Sequence, residues 1–180
     1  LDMMCYVGQS TLGYNNSFVD NAVKKAIKQG NMTSLNSYEE IQLAEELIKI
    51  HPWANKVKFC RSGGEANALA VRIARSATNR QNIAICGYHG WHDWYLSVNL
   101  KNKNDLNEHI LPGLEPAGVH KNLKNTAFPF KYGNLKQLIS LIKKKNIGII
   151  KMEVARNSLP NIDFLKKVRE ISNKYKIILI

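Results

Sequence analysis

Residues 147–180 read IGIIKMEVARNSLPNIDFLKKVREISNKYKIILI. The stretch opens on a nearly continuous apolar run, IGIIKMEV (147–154). It continues through IDFLKKVREISNKY (162–175), where apolar residues recur at helical spacing, and closes on KIILI (176–180). Strand, amphipathic helix and strand in that order make a crossover unit with parallel strands. Strands this apolar suit a sheet covered on both faces.

The same alternation extends upstream. NLKQLISLIKKK (134–145) sets Leu135, Leu138, Ile139 and Ile142 on one helix face. NIAIC (82–86) and KVKFC (56–60) read as further strands, with a helix from about Gly63 between them. Nearer the start, Phe18, Val19, Ala22, Val23, Ala26 and Ile27 predict a helix stopped by Gly30. Ser37 and Glu40 have capping-box spacing, and the helix they open ends at His51-Pro52. Residues 97–130 are polar, rich in Asn, Pro and Gly, and without periodicity, so they read as one long loop. The expected fold class is α/β: a three-layer αβα arrangement around a mostly parallel sheet. Residues 1–180 are expected to form part of one domain of a longer protein, because an apolar strand ending at Ile180 makes a poor chain terminus.

Composition narrows the function classes. Apolar residues are 44% and charged residues 22% of the 180, ordinary for a soluble globular protein. The net charge of +12 raises nucleic-acid binding, but the lysines are scattered over helix faces and no basic stripe is interleaved with aromatics. Asparagine is abundant too, so much of the Lys and Asn content reads as compositional bias. No apolar run is long enough to span a membrane, and Leu1–Ser10 carry no signal-peptide pattern. Cys5, Cys60 and Cys86 are odd in number and lack CxxC spacing, which argues against disulfides and zinc ribbons and favours a cytoplasmic setting.

In an open parallel sheet, ligands sit beyond the carboxyl ends of the strands, and three unusual stretches fall there. In RSGGEA (61–66), Ser62 and Glu65 have capping-box spacing, which leaves Gly63 and Gly64 unexplained. Glycine inside a helix costs about 1 kcal/mol relative to alanine. It is useful where a ligand approaches the backbone, and free amides at a helix N-terminus bind anions such as phosphate. A tight turn is the competing account. In GYHGWHD (87–93), Tyr88 can stack on a flat ligand, while His89, His92 and Asp93 have a spacing that a metal could use. In MEVARN (152–157), Glu153 either points into the site or pairs with a cation such as Arg156.

These stretches, in this order, resemble class III pyridoxal-phosphate (PLP) aminotransferases of fold type I, in particular their glutamate-1-semialdehyde aminomutase branch. Ser62-Gly63-Gly64-Glu65-Ala66 is similar to the family's S-G-T-E-A, with Gly64 in place of threonine. Tyr88-His89-Gly90-Trp91-His92-Asp93 is similar to the aminomutase Y-H-G-x-x-D. LGYNNSFVDNAVKKAI, GLEPAGVHKNL and IIKMEVARN resemble further family segments; Val154 stands where a proline is usual, and Asn157 is the position nearest to a cofactor-contacting asparagine. The aminomutases carry a substrate-side tryptophan for which CYVGQSTLGY has no counterpart. The resemblance implies amino-group transfer on a small amino acid or amine with pyridoxal 5'-phosphate. It assigns Ser62, Gly63, Gly64, Tyr88 and His89 to cofactor binding and Glu153 to a place near cofactor or substrate, with no metal. It further implies a homodimer with shared active sites, without nucleic-acid or membrane partners. The Schiff-base lysine and the aspartate at the pyridine nitrogen would lie beyond Ile180. Two other readings remain at this point: a metal-dependent hydrolase using His89, His92 and Asp93, and a non-catalytic remnant of the fold.

Overall fold

A computed structural model describes residues 8–30, 34–107, 109, 114–155 and 159–180. Cys5, Arg156 and Asn157 lie outside the described residues, as does most of the Leu1–Ser10 stretch. The chain divides into two compact units, Leu1–Lys58 and Phe59–Ile180.

The first unit holds α1 (Ser17–Gln29) and α2 (Tyr38–Ile50). Asn16 caps α1 by accepting from the Phe18 and Val19 amides, and Gly30, at φ +110°, ends it. Ser37 and Glu40 form the full capping box on α2. Both helices are amphipathic, yet neither buries a residue: Phe18, Val23, Ile27 and Ile41 are all exposed.

The second unit carries the sheet. Its elements are α3 (Gly63–Thr78), β1 (Asn82–Cys86), α4 (Asp93–Leu96), β2 (Ala127–Pro129), α5 (Leu135–Lys145), β3 (Ile147–Met152), α6 (Ile162–Lys174) and β4 (Ile178–Leu179). The sheet order is β2-β1-β3-β4, and every pair is parallel. Successive side chains feed opposite faces. Ala84, Cys86, Phe128, Ile150 and Met152 pack with Leu138 and Ile142 of α5 and Phe164 and Val168 of α6. Ile83, Ile85, Ala127 and Ile149 pack with Val71 and Ala74 of α3 and Trp94 and Tyr95 of α4. The result is the expected three-layer αβα architecture.

Two expectations need correcting. KVKFC (56–60) is not a strand: the described sheet ends at β2 and β4, and no strand pairs with that segment. A strand persists through its ladder, and without a partner apolar character alone does not make one. Conversely, the polar 97–130 stretch contains β2 and two short 3-10 turns, Ser97–Leu100 and Lys121–Leu123. Buried Asn99 organises its first half, accepting from the Leu106 amide (3.0 Å) and donating to the Leu114 carbonyl (3.0 Å).

At the amino ends of the strands, the Arg80 guanidinium donates to the carbonyls of Ile147 (2.8 Å) and Lys176. Gly148 leaves room for this clamp, since a Cβ there would stand 2.5 Å from Arg80 Cβ.

Candidate active site

The chain leaves β1 toward β2 on one side and then returns to place β3 on the other side of β1. That reversal opens a crevice beyond the carboxyl ends of β1 and β3, the usual ligand position in such sheets. The loop after β1 and the residue after β3 meet there. Glu153 donates its amide to the Cys86 carbonyl (3.0 Å), and its Oε2 accepts from the Tyr88 amide (3.1 Å). Gly87, at φ +97°, makes this possible: a Cβ there would lie 2.3 Å from Glu153 Oε2. The Gly87 peptide is fixed on both sides, its N–H donating to His109 Nδ1 (3.2 Å) and its carbonyl accepting from Tyr95 Oη (2.9 Å).

Tyr88 remains exposed, with its ring edge-on to Tyr95 at 6.3 Å. His89 does the opposite. Only 3% exposed, it packs against both Trp94 and Tyr95, and its Nε2 meets the Cys86 carbonyl at 3.1 Å. Burial, reinforced by the positive charge of Lys151, pulls the ring from the usual 6.5 down to about 4, so it is neutral at pH 7. Its carbonyl accepts from Asn67 Nδ2 of α3 (3.2 Å), tying the loop to that helix.

The start of α3 faces this loop. Ser62 Oγ accepts from the Glu65 amide (3.2 Å), but Glu65 reaches past Ser62 to the Arg61 amide (2.9 Å). The Gly63 and Gly64 amides take no acceptor among the described residues. A Cβ on Gly63 would meet nothing, whereas one on Gly64 would collide with the His92 ring at 2.7 Å. Packing therefore accounts for Gly64, a reason the sequence did not reveal, and leaves the open space to Gly63.

Sequence reasoning also passed over Lys151 and His109. Lys151 is the penultimate residue of β3, opposite Ile85 and 8% exposed. Burial lowers its pKa and Glu153 opposes that shift. A lysine inside an otherwise apolar strand was the available signal. Cys86, raised to about 11 by burial and by Glu153, is held as an inert thiol. His89, His92 and Asp93 do not converge: among the described residues no three His, Cys, Asp or Glu side chains cluster as metal ligands. The hydrolase reading thus lacks its ligand set.

Residues 1–180 match the family model for aminotransferase class-III along their whole length. The chain belongs to the class-III aminotransferase family. Among curated relatives, it is 29% identical over 189 residues to a 3-aminobutyryl-CoA aminotransferase of Cloacimonas acidaminovorans, covering 100% of this chain and 42% of the relative. It is 31% identical over 186 residues to a glutamate-1-semialdehyde 2,1-aminomutase of Sulfurisphaera tokodaii, covering 100% of this chain and 43% of that one. The fold matches the FumI protein of Sphingopyxis sp. MTA144, solved in its PLP internal aldimine form. The TM-score is 0.82 and the identity 22%, over 99% of this chain and 41% of that one. This class-III chain thus spans about two fifths of the length of the relatives it matches. No helix among its described residues is long and apolar enough to cross a membrane.

Proposed function

We propose that the whole protein transfers amino groups with pyridoxal 5'-phosphate, as an aminotransferase or an aminomutase, and that residues 1–180 are part of its cofactor-binding large domain. The observation that carries this reading is the convergence of three family stretches at one crevice: the α3 amino end, the Tyr88 loop and Glu153. The site also fits the cofactor's phosphate. The Gly63 and Gly64 amides have no acceptor among the described residues and lie at the positive end of a 16-residue helix.

PLP supplies the electron sink that amino-group chemistry needs. The chain's own residues bind and orient. Ser62 fixes the first turn of α3, so that the Gly63 and Gly64 amides point outward to an anion. Tyr88 offers an exposed ring for stacking on the cofactor. Glu153 sets the height of that ring by holding the Tyr88 amide, and its carboxylate lies close to where cofactor or substrate would sit. His89, expected among the cofactor contacts, serves in this reading from below: buried and neutral, it keeps the loop seated on Trp94 and Tyr95. The cofactor-carrying lysine and the aspartate at the ring nitrogen are sought in the rest of the whole protein.

Small amino acids or amines are the proposed substrates, and the cytoplasm the proposed setting. A homodimer is the proposed assembly; the exposed apolar faces of α1 and α2 are surfaces it could cover. The deciding experiment is spectroscopic. The purified whole protein is expected to show PLP absorbance or to gain it on adding PLP, and an amino donor should then change that spectrum. A protein that stays colourless with excess PLP rules the reading out.

A further inference from the structure

Tyr132 lies in the turn that leads from β2 into α5. That turn is pinned at both ends. The Asn134 amide donates back to the Lys131 carbonyl (3.0 Å), and Asn134 Oδ1 accepts from the Gln137 amide (3.0 Å) to cap α5. The phenol ring packs on Phe164 of α6 with centroids 4.7 Å apart. Phenylalanine would serve that packing equally well, so the hydroxyl needs an account of its own.

Oη donates to the Val154 carbonyl (3.0 Å) and accepts from the Asn161 amide (3.1 Å). Val154 lies just past the end of β3, and Asn161 is the residue whose side chain caps α6. The sheet order puts β1 between β2 and β3, and the hydrogen bonds on its two sides run on to Phe130 and Glu153. Tyr132 therefore reaches from the β2 side to the β3 side across the end of β1, a gap of two strand spacings or about 10 Å. Glu153 is bracketed as a result. Its own amide is held by the Cys86 carbonyl (3.0 Å), and the Val154 carbonyl that follows is held by Tyr132. This is the glutamate whose Oε2 accepts from the Tyr88 amide (3.1 Å).

We propose that Tyr132 is a positioning residue for the crevice: its hydroxyl fixes the chain at Val154 and so keeps the Glu153 carboxylate on the Tyr88 amide. This role is played without bound cofactor and so goes beyond the PLP reading. Within that reading, Tyr132 sets the height of the Tyr88 ring from outside the three stretches that form the crevice. A hydroxyl that gives its one proton to a carbonyl is not available as an acid, so its effect passes through Glu153. The two backbone groups it serves lie near the surface, where water can take them once the hydroxyl is gone. The fold is therefore expected to survive its removal.

The test follows amide hydrogen exchange in the whole protein without cofactor. Tyr132→Phe keeps the ring on Phe164 and removes Oη. Exchange at the Tyr88 amide should then speed up about three- to tenfold, the weight of one hydrogen bond, while the α2 amides exchange as in wild type. Glu153→Ala removes the acceptor itself and should speed up the same amide at least as much. Added to Glu153→Ala, Tyr132→Phe should change Tyr88 exchange by less than about 1.5-fold, because a residue that works through another then has nothing to act on. A tyrosine that merely stiffens its surroundings would speed up exchange equally in both backgrounds. That result, or unchanged Tyr88 exchange in Tyr132→Phe alone, would overturn the proposal. Where wild-type protein takes up PLP, Tyr132→Phe should also lower its affinity about threefold, and an unchanged affinity would overturn the positioning role even with faster exchange. Wild-type protein that takes up no PLP would instead sink the functional reading, while the exchange comparison still decides the role of Tyr132.

Discussion

Two helices of this chain begin on the same letters, a serine with a glutamate three residues on, and they begin differently. At α2 the box closes on itself: Ser37 Oγ accepts from the Glu40 amide at 3.3 Å and Glu40 Oε2 accepts from the Ser37 amide at 3.2 Å. At α3 only half of it forms. Glu65 passes over Ser62 to the Arg61 amide, and the residues inside the box are Gly63 and Gly64 rather than Tyr38 and Glu39. A capping signature says where a helix starts. What the helix does with its remaining amides is written in the two residues between the capping letters and in what the rest of the fold lays over them.

That contrast can be broken in several ways. The largest expected effect comes from acid. Because burial holds His89 near pH 4 in the folded state and at about 6.5 when unfolded, the folded protein binds fewer protons between those values. Stability should be full above about pH 6.5 and decline as the pH drops toward 4, by up to roughly 3 kcal/mol. Hydrogen exchange followed against pH should show the start of α3 and the 87–92 loop opening first, with α2 unaffected; simultaneous opening of both helix starts would end the distinction. Next in size is Gly64→Ala, which forces a methyl into the His92 ring and should cost about 1–3 kcal/mol. Gly63→Ala meets open space and should change stability by no more than about 0.5 kcal/mol. Thermal midpoints that place the two alanine variants together would remove the case for unequal glycines.

The caps themselves come third. Ser37→Ala and Ser62→Ala should each cost about 1 kcal/mol in denaturant titrations. Only Ser62→Ala is expected to weaken PLP binding as well, since it frees the turn that aims the glycine amides. Equal PLP affinity in both would mean that the α3 cap is merely a cap. The smallest effect is that of Glu40→Gln and Glu65→Gln, a few tenths of a kcal/mol each, in keeping with loss of helix-dipole attraction at an exposed site.

Much of the fold could be read from local pattern. The five long helices fall within about a residue of their expected starts because each combines a side-chain cap with apolar residues on one face. The strands NIAIC and IGIIKM were legible because the sheet buries both their faces. Reading failed where pairing rather than composition decides. KVKFC has strand-like letters and no ladder, while AFP at 127–129 is too short for a pattern and gains its identity from lying beside β1. The abundance of asparagine was read as bias, yet Asn79 and Asn146 close α3 and α5 at φ +52° and +47°, a conformation that asparagine tolerates better than most residues. At the site, the stretches themselves were visible, but their division of labour was not. His89 and Tyr88 are neighbours in sequence and opposites in exposure, and the account of Gly64 lies 28 residues away in His92, a relation that no local window contains.

The Arg80 clamp lies at the end of the sheet remote from the crevice, and this separation has a practical consequence for mutational surveys. A Cβ at Gly148 would displace Arg80 from the two carbonyls it joins, without touching any residue of the Tyr88 loop. Variants at that end should vanish from the soluble fraction while the molecules that do fold bind ligand normally. Variants of exposed crevice side chains such as Tyr88 should accumulate to ordinary levels and bind poorly. Inactive clones would therefore fall into two populations, separable by yield alone before any assay of chemistry is run.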